Sequence, residues 1–137
     1  MTPARAQMAT DALRAVVVVG TGDVPAGVVA QVRAATGWNV YACRTLRNTV
    51  GDKSAPVVRL LVLAGDAVDD PFPALLEARG LHPGADVLMV LQPGATVLDR
   101  CRLWEAGASL VMVEPVFPRE VLAALRGVWA RRFTAAP

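Results

Sequence analysis

The sequence predicts one α/β domain, in which a parallel five-stranded sheet carries helices on both faces. Short apolar runs, typical of strands buried on both faces, alternate along the chain with segments of helical periodicity. Hydrophobic residues make up 54% of the 137 residues, which is enough for one sizeable core. Because no linker or repeat interrupts the alternation, we expect a domain over residues 14–133, an N-terminal arm at 1–13 and a tail at 134–137.

The predicted strands are short and apolar, and the last of them ends before a proline that cannot donate a hydrogen bond to a neighbouring strand. They are Ala15–Val19, Val40–Cys43, Val58–Leu63, Val87–Leu91 and Leu110–Val113.

Helical periodicity and end signals predict the segments between the strands. The clearest helices cover residues 23–36, 73–79, 96–105 and 119–132. Gly37 and Gly80 are expected to end the first two. After the second strand, residues 45–50 favour a turn or two of helix whereas residues 51–56 favour a loop, so that helix is short or missing.

Two of these helices have apolar faces that predict how they pack. In the helix at 96–105, Val97, Cys101 and Trp104 are expected to point inward, with Leu98 beside them. In the last helix the expected inward face comprises Val121, Leu122, Leu125, Val128 and Trp129.

Composition and charge exclude several classes of function. The net charge of +2 is too small to indicate direct nucleic-acid binding, and no apolar run approaches the length that spans a membrane. The single histidine rules out a multi-histidine metal site, and two cysteines imply neither a disulfide framework nor a metal site. The N-terminus lacks the apolar core of a signal peptide, so we expect a cytoplasmic protein without a cofactor.

The loop Gly20-Thr-Gly-Asp-Val-Pro-Ala-Gly27 follows a strand and precedes a helix, as a dinucleotide-binding loop does. The third glycine of that fingerprint would fall at Pro25, and Gly27 comes two residues late for close packing of helix on strand. The second strand ends at Cys43-Arg44, without a carboxylate to hold a ribose. A plain strand-to-helix turn is favoured over a dinucleotide site.

An acidic loop, Asp66, Asp69 and Asp70, follows the third strand at the edge where α/β proteins bind ligands. Such carboxylates can hold Mg²⁺, but a solvated loop that caps the following helix is the favoured interpretation. His82 lies in a Pro-Gly turn at the opposite edge, which makes it a poor catalytic candidate. Cys43 and Cys101 are interpreted as small buried hydrophobes.

The second half of the chain resembles a response-regulator receiver domain. The resemblance lies in Leu103-Trp-Glu-Ala-Gly-Ala-Ser-Leu-Val-Met-Val-Glu-Pro-Val-Phe-Pro, which is similar to the family's run from the fourth helix to the fifth, with one extra residue before the phenylalanine. Taken over residues 15–132, it implies a flavodoxin-like (CheY-like), doubly wound sheet of strand order 2-1-3-4-5.

The resemblance also implies where phosphorylation residues should stand. The magnesium-binding acidic pair falls at Gly20 and Thr21, and the acceptor aspartate at Ala64 or at best Gly65. The remaining family positions are the hydroxyl, the switch aromatic and the lysine, which fall at Gln92, Val111 and Glu114. None of these residues matches the family pattern, and Ala64 has no oxygen to phosphorylate, so the resemblance predicts a degenerate receiver (a pseudo-receiver) without magnesium.

The leading hypothesis is therefore a regulatory module in two-component-type signalling that works without phosphorylation, is not an enzyme, and binds a protein partner or a second copy of itself. The receiver resemblance places the interaction face on the fourth helix, fifth strand and fifth helix, at Arg100, Leu103, Arg119, Ala123 and Arg126.

Two alternatives remain open at the level of sequence. One is an active phosphoacceptor that uses the displaced acids Asp23 and Asp66. The other is a binder of small molecules or nucleotides at the carboxyl ends of the strands, around Gly20, Ala64 and Gln92.

Overall fold

Five parallel strands form one sheet in the order β2-β1-β3-β4-β5, in a computed structural model that describes residues 15–50 and 57–134. The strands are β1 Ala15–Val19, β2 Asn39–Cys43, β3 Val58–Leu63, β4 Asp86–Leu91 and β5 Leu110–Val113. Each agrees with the sequence prediction to within one residue, and the order is the one that the receiver resemblance implies. The predicted arm at 1–13 and the predicted loop at 51–56 lie outside the described residues.

Four α-helices occur in the described part of the chain: α1 Asp23–Ala35, α2 Pro71–Leu81, α3 Val97–Glu105 and α4 Pro118–Thr134. Helices α1 and α4 cover one face of the sheet, and α2 and α3 cover the other. After β2 the chain makes a single 3-10 turn, Leu46–Thr49, where the sequence predicts a short or missing helix. A second such turn, Gly65–Val68, follows β3.

Alternating side chains of the strands build an apolar layer on each face of the sheet. In β3, Leu60 and Val62 point toward α1 and α4, whereas Leu61 and Leu63 point toward α2 and α3. Both layers are present because the strands of a parallel sheet are apolar on both faces, and helices bury each face. The inward face predicted for the last helix is confirmed, since all of its residues are buried: Val121, Leu122, Leu125, Val128 and Trp129.

Helix α2 is longer than the sequence predicts at both ends. It starts at Pro71 and continues through Gly80 to Leu81, so the expectation that Gly80 stops it is wrong. A glycine inside a helix costs only about 1 kcal/mol relative to alanine, and tertiary packing outweighs that penalty. Packing is strong here, because Leu75 and Ala78 are fully buried against the sheet.

Helix α3 packs with a different face from the predicted one. Val97, Leu98 and Trp104 are 65%, 67% and 47% exposed, whereas Leu103 is only 2% exposed and belongs to the core. A short helix near the edge of a sheet buries few residues. Its apolar periodicity identifies a stripe, but the stripe need not face the core.

His82 joins the Leu46–Thr49 turn to the end of α2. Its Nε2 lies 2.7 Å from Thr49 Oγ1. The Thr49 hydroxyl donates its own hydrogen to the Leu46 carbonyl oxygen, so it accepts from His82, and Nε2 therefore carries the proton. Burial lowers the pKa of His82 below its ordinary value of 6.5. The neutral imidazole is a structural link between the two elements.

We expect the folded protein to lose stability as the pH falls below about 6.5. The unfolded chain binds a proton at His82 near that pH, whereas the folded chain does so only at its lowered pKa, and the loss is confined to the interval between the two values. Urea unfolding at a series of pH values measures it. His82→Gln, which keeps a donor for Thr49, should remove this part of the dependence, and an unchanged dependence would contradict the assignment.

Candidate functional site

The carboxyl ends of four neighbouring strands bring together the positions that the receiver resemblance assigns to phosphorylation. Gly20 and Thr21 follow β1, Ala64 follows β3, Gln92 follows β4 and Glu114 follows β5. Parallel strands present these ends along one edge of the sheet, which is where α/β proteins bind ligands. The side chains at this edge determine what chemistry it offers.

The loops after β1 and β3 are packed together through their backbones. Gly20 and Gly65 have φ angles of +127° and +60°, in the region that favours glycine. A Cβ at position 20 would overlap the carbonyl oxygen of Ala64, and a Cβ at position 65 would overlap the carbonyl oxygen of Thr21. Ala64 is fully buried below this contact and presents only a methyl group. Main-chain packing therefore closes this part of the edge.

The carboxylate of Asp66 fastens these two loops to each other. Its Oδ1 accepts from the Thr21 N–H at 2.6 Å, and its Oδ2 accepts from the Thr21 hydroxyl at 2.8 Å. The backbone hydrogen bond first, and the hydroxyl hydrogen bond second, hold the pKa of Asp66 below its usual value. We call this contact the Thr21–Asp66 clasp. Both carboxylate oxygens are engaged within the chain.

Gln92 supports the loop after β3 from the side of β4. Its Nε2 donates to the Gly65 carbonyl oxygen at 2.8 Å and lies 3.4 Å from Asp69 Oδ1. The amide thus holds the same loop that the clasp holds from β1. The Gln92 side chain therefore has a structural partner, Gly65, on the loop after β3.

The acidic loop does not cap helix α2, contrary to the favoured interpretation of the sequence. Asp70 stands at the N-cap position but makes no side-chain capping hydrogen bond. A cap side chain accepts from the second or third N–H of the helix, and Pro73 at the third position has none. Proline at positions 71 and 73 therefore leaves Asp70 with few donors to accept from.

At the end of β5, Val111 is buried in the core and Glu114 is half-buried. The Glu114 N–H donates to the Leu91 carbonyl oxygen at 2.9 Å, which continues the pairing with β4 by one residue. The peptide bond between Glu114 and Pro115 is cis. The carboxylate of Glu114 brings negative charge to this end of the edge, and that charge would repel a phosphoryl group.

The two acids of the phosphoacceptor alternative, Asp23 and Asp66, differ in their surroundings. Asp23 is exposed at the first residue of α1, and Asp66 is turned toward Thr21 by the clasp. Within residues 15–50 and 57–134, no group of three or more His, Cys, Asp or Glu side chains is arranged to hold a metal ion.

The loop after β1 uses its backbone donors internally, which disfavours the dinucleotide alternative. The Gly20 N–H donates to the Cys43 carbonyl oxygen at 2.9 Å, and the Thr21 N–H donates to Asp66. A Cβ at Gly27 would lie 2.9 Å from Pro118 Cγ. Gly27 therefore permits close packing of α1 against the start of α4, a role unrelated to phosphate.

The five residues predicted for an interaction face do not share one surface. Leu103 is buried, so it is not available to a partner. Arg126 Nη2 donates to the Ala35 carbonyl oxygen at 3.2 Å, which shows that this side of α4 faces the end of α1. Arg119 and Ala123 are three to seven residues earlier on the same helical stripe and share that side. The prediction is therefore wrong for the buried Leu103, whereas an interaction face that includes Arg100, Arg119, Ala123 or Arg126 stays a prediction.

The side of α4 that faces β5 carries Glu120, Ala124 and Arg131 instead. These positions repeat at helical spacing on the flank opposite to Arg126. Arg131 borders a cavity together with Asp86 and Ser109, which lie at the amino ends of β4 and β5. The sequence analysis did not identify these three residues, although their helical spacing from the buried residues of α4 could have located them.

Helix α3 leaves most of its apolar stripe exposed. The Arg102 guanidinium lies 5.7 Å from the centre of the Phe72 ring, which identifies the side of α3 that faces α2. Val97, Cys101 and Trp104 are spaced i, i+4 and i+7 and lie on a different side of the helix from Arg102. We call the surface formed by this stripe, the edge strand β5 and the Glu120–Arg131 flank of α4 the β5 face.

The two cysteine thiols take no part in the Thr21–Asp66 clasp or in the hydrogen bonds of Gln92. Cys43 Sγ donates to the Asn48 carbonyl oxygen at 3.8 Å, and burial raises the pKa of its thiol. Cys43 and Cys101 are both free and half-buried, which agrees only in part with the expectation that they are buried. Among the described helices, none is both long enough and apolar enough to cross a membrane.

Comparison with solved structures identifies the fold. The chain is similar to the crystal structure of a response regulator receiver domain protein (CheY-like) from Methanospirillum hungatei JF-1, with a TM-score of 0.69 and 18% sequence identity over 90% of this chain and 98% of that one. No protein-family model and no curated protein matches the sequence. The chain therefore has the receiver fold, and at this identity the likeness shows the fold alone.

Proposed function

We propose that this protein is a receiver-fold regulatory module that acts in the cytoplasm by binding protein and not by accepting phosphate. It requires no catalytic residue, magnesium or other cofactor. The observation that carries the proposal is the β5 face, where Val97 and Trp104 are 65% and 47% exposed beside an open edge strand. Exposed apolar surface rimmed by polar residues is typical of protein interaction sites.

The carboxyl edge supports the phosphorylation-independent part of the proposal. The position equivalent to the acceptor is the methyl group of Ala64, which is fully buried. The nearest displaced carboxylate, Asp66, has both oxygens in hydrogen bonds to Thr21. An attack by Asp66 on a phosphoryl group would first have to break the clasp, and Glu114 would oppose the incoming charge.

The chemistry of the β5 face favours a second copy of this chain as the partner. A twofold interface needs a surface that is complementary to itself. Around its apolar stripe the β5 face carries both signs of charge, with Arg100 and Arg131 against Glu120. Trp104 provides the kind of large aromatic side chain that dominates binding energy in protein interfaces.

We expect the protein to dimerise, and we expect Val97→Glu and Trp104→Ala each to weaken the dimer by about tenfold or more. Sedimentation equilibrium over a range of concentrations measures the dissociation constant. Leu76→Glu is the matched control, because Leu76 is 50% exposed on α2, away from the β5 face. The dimer should also be unchanged by magnesium with beryllium fluoride.

Two results would contradict the proposal, and they affect different parts of it. A protein that stays monomeric at its highest soluble concentration would exclude the second copy as partner. A clear change in amide spectra on adding magnesium and beryllium fluoride, lost in Asp66→Asn, would show that the displaced aspartate accepts phosphate and that the protein is an active receiver.

A further inference from the structure

A cleft of about 400 Å³ opens beside the Leu46–Thr49 turn, in the connection where the sequence predicts a short or missing helix. Its floor includes the apolar side chains of Val19 and Leu46, which are 1% and 7% exposed. Its rim carries charged residues of both signs, namely Arg44, Arg47, Asp66 and Glu77. A concave site with an apolar floor and a few polar groups at its rim is the usual form of a small-molecule site, and this volume lies within the usual range.

The arginines form the positive end of the cleft. Both line the cleft, Arg44 from the bend that follows β2 and Arg47 from the Leu46–Thr49 turn. Both side chains are exposed, and neither guanidinium has a hydrogen bond or an ion pair within the part of the chain that the structure describes. Paired guanidinium groups are well suited to binding a phosphate or a carboxylate.

The negative end of the cleft lies across β1. Arg44 follows β2 and Asp66 follows β3, with β1 between these strands. Adjacent strands are about 4.8 Å apart, so roughly 10 Å separates the two ends. Asp66 is occupied by the clasp, whereas Glu77 on α2 is exposed and has no hydrogen-bond or ion-pair partner among the described residues. Glu77, which lines the same cleft, is therefore the acceptor available to a ligand.

We propose that the cleft binds a small organic anion of nucleotide size whose far end carries an amino group. The anionic group binds between Arg44 and Arg47, the flat apolar body lies on Val19 and Leu46, and the amino group donates to Glu77. A nucleoside monophosphate with an exocyclic amine has this combination of groups. The site is separate from the β5 face, and the inference does not depend on the proposed dimer.

Isothermal titration calorimetry with adenosine monophosphate tests the proposal, with adenosine and inorganic phosphate as partial probes. We expect each partial probe to bind about tenfold or more weakly than adenosine monophosphate, because each lacks one half of the contacts. The double variant Arg44→Gln, Arg47→Gln should weaken the binding of adenosine monophosphate by about tenfold or more. Arg119→Gln, which removes an exposed arginine of α4, is the matched control and should leave binding unchanged.

The preference between two nucleotides tests the role of Glu77 separately. Inosine monophosphate carries a carbonyl group where adenosine monophosphate carries the amine, so the protein should prefer adenosine monophosphate and Glu77→Gln should reduce that preference. The proposal is wrong if neither adenosine nor guanosine monophosphate binds at millimolar concentration. It is equally wrong if the double arginine variant binds as the control does, or if inorganic phosphate binds as tightly as the nucleotide.

Discussion

Leu103→Ala should destabilise the protein by about 2–5 kcal/mol, the range for truncating a buried leucine. Leu103 is 2% exposed and packs among residues of β4, β5 and α2. Truncation removes apolar contacts and leaves a cavity, because the surrounding side chains relax only in part. Urea unfolding followed by circular dichroism measures the change in the free energy of unfolding.

Leu98→Ala is the matched control, since it makes the same chemical change on the same helix at a side chain that is 67% exposed. Its effect should stay within about 0.5 kcal/mol, as is usual for surface substitutions. The two substitutions therefore distinguish the orientation of α3 in the structure from the orientation predicted from the sequence. In the sequence prediction, Leu98 lies beside the inward stripe. Equal effects of the two substitutions would contradict the orientation of α3.

Gly20→Ala should be the most damaging substitution at the carboxyl edge, at about 4 kcal/mol or more, a size that indicates a specific structural conflict. The residue has φ +127°, and a Cβ there would overlap the carbonyl oxygen of Ala64. Backbone strain of this kind costs about 1–3 kcal/mol by itself. The overlap adds to the strain, because the loops after β1 and β3 must move apart and weaken the Thr21–Asp66 clasp.

Gly22→Ala separates these two contributions. Gly22 has φ +120°, close to that of Gly20, but a Cβ there would meet nothing within 4 Å. It should therefore show the strain of about 1–3 kcal/mol without the overlap. Urea unfolding of both variants gives the comparison, and equal losses would show that the two loops are not packed as closely as the structure has them.

The strands and the buried side of the last helix were predictable because they depend on local pattern. A strand such as Val58–Leu63 is apolar except for Arg59 near its start, since both of its faces are covered, and the run itself identifies it. The residue types at the carboxyl edge were equally evident from the sequence. Ala64 lacks an oxygen and Glu114 carries the wrong charge for binding a phosphoryl group, whatever surrounds them.

Only the tertiary structure decided which way the short helices turn and what the polar residues bind. Periodicity shows that Val97, Cys101 and Trp104 share one side of α3, but the neighbours of the helix determine whether that side is buried. The clasp joins Thr21 to Asp66 across 45 positions of sequence, and no local pattern predicts so distant a hydrogen bond. Residue type and spacing thus determined the fold and the residue types at the edge, whereas the packing of helices and loops determined the surfaces for which we propose binding.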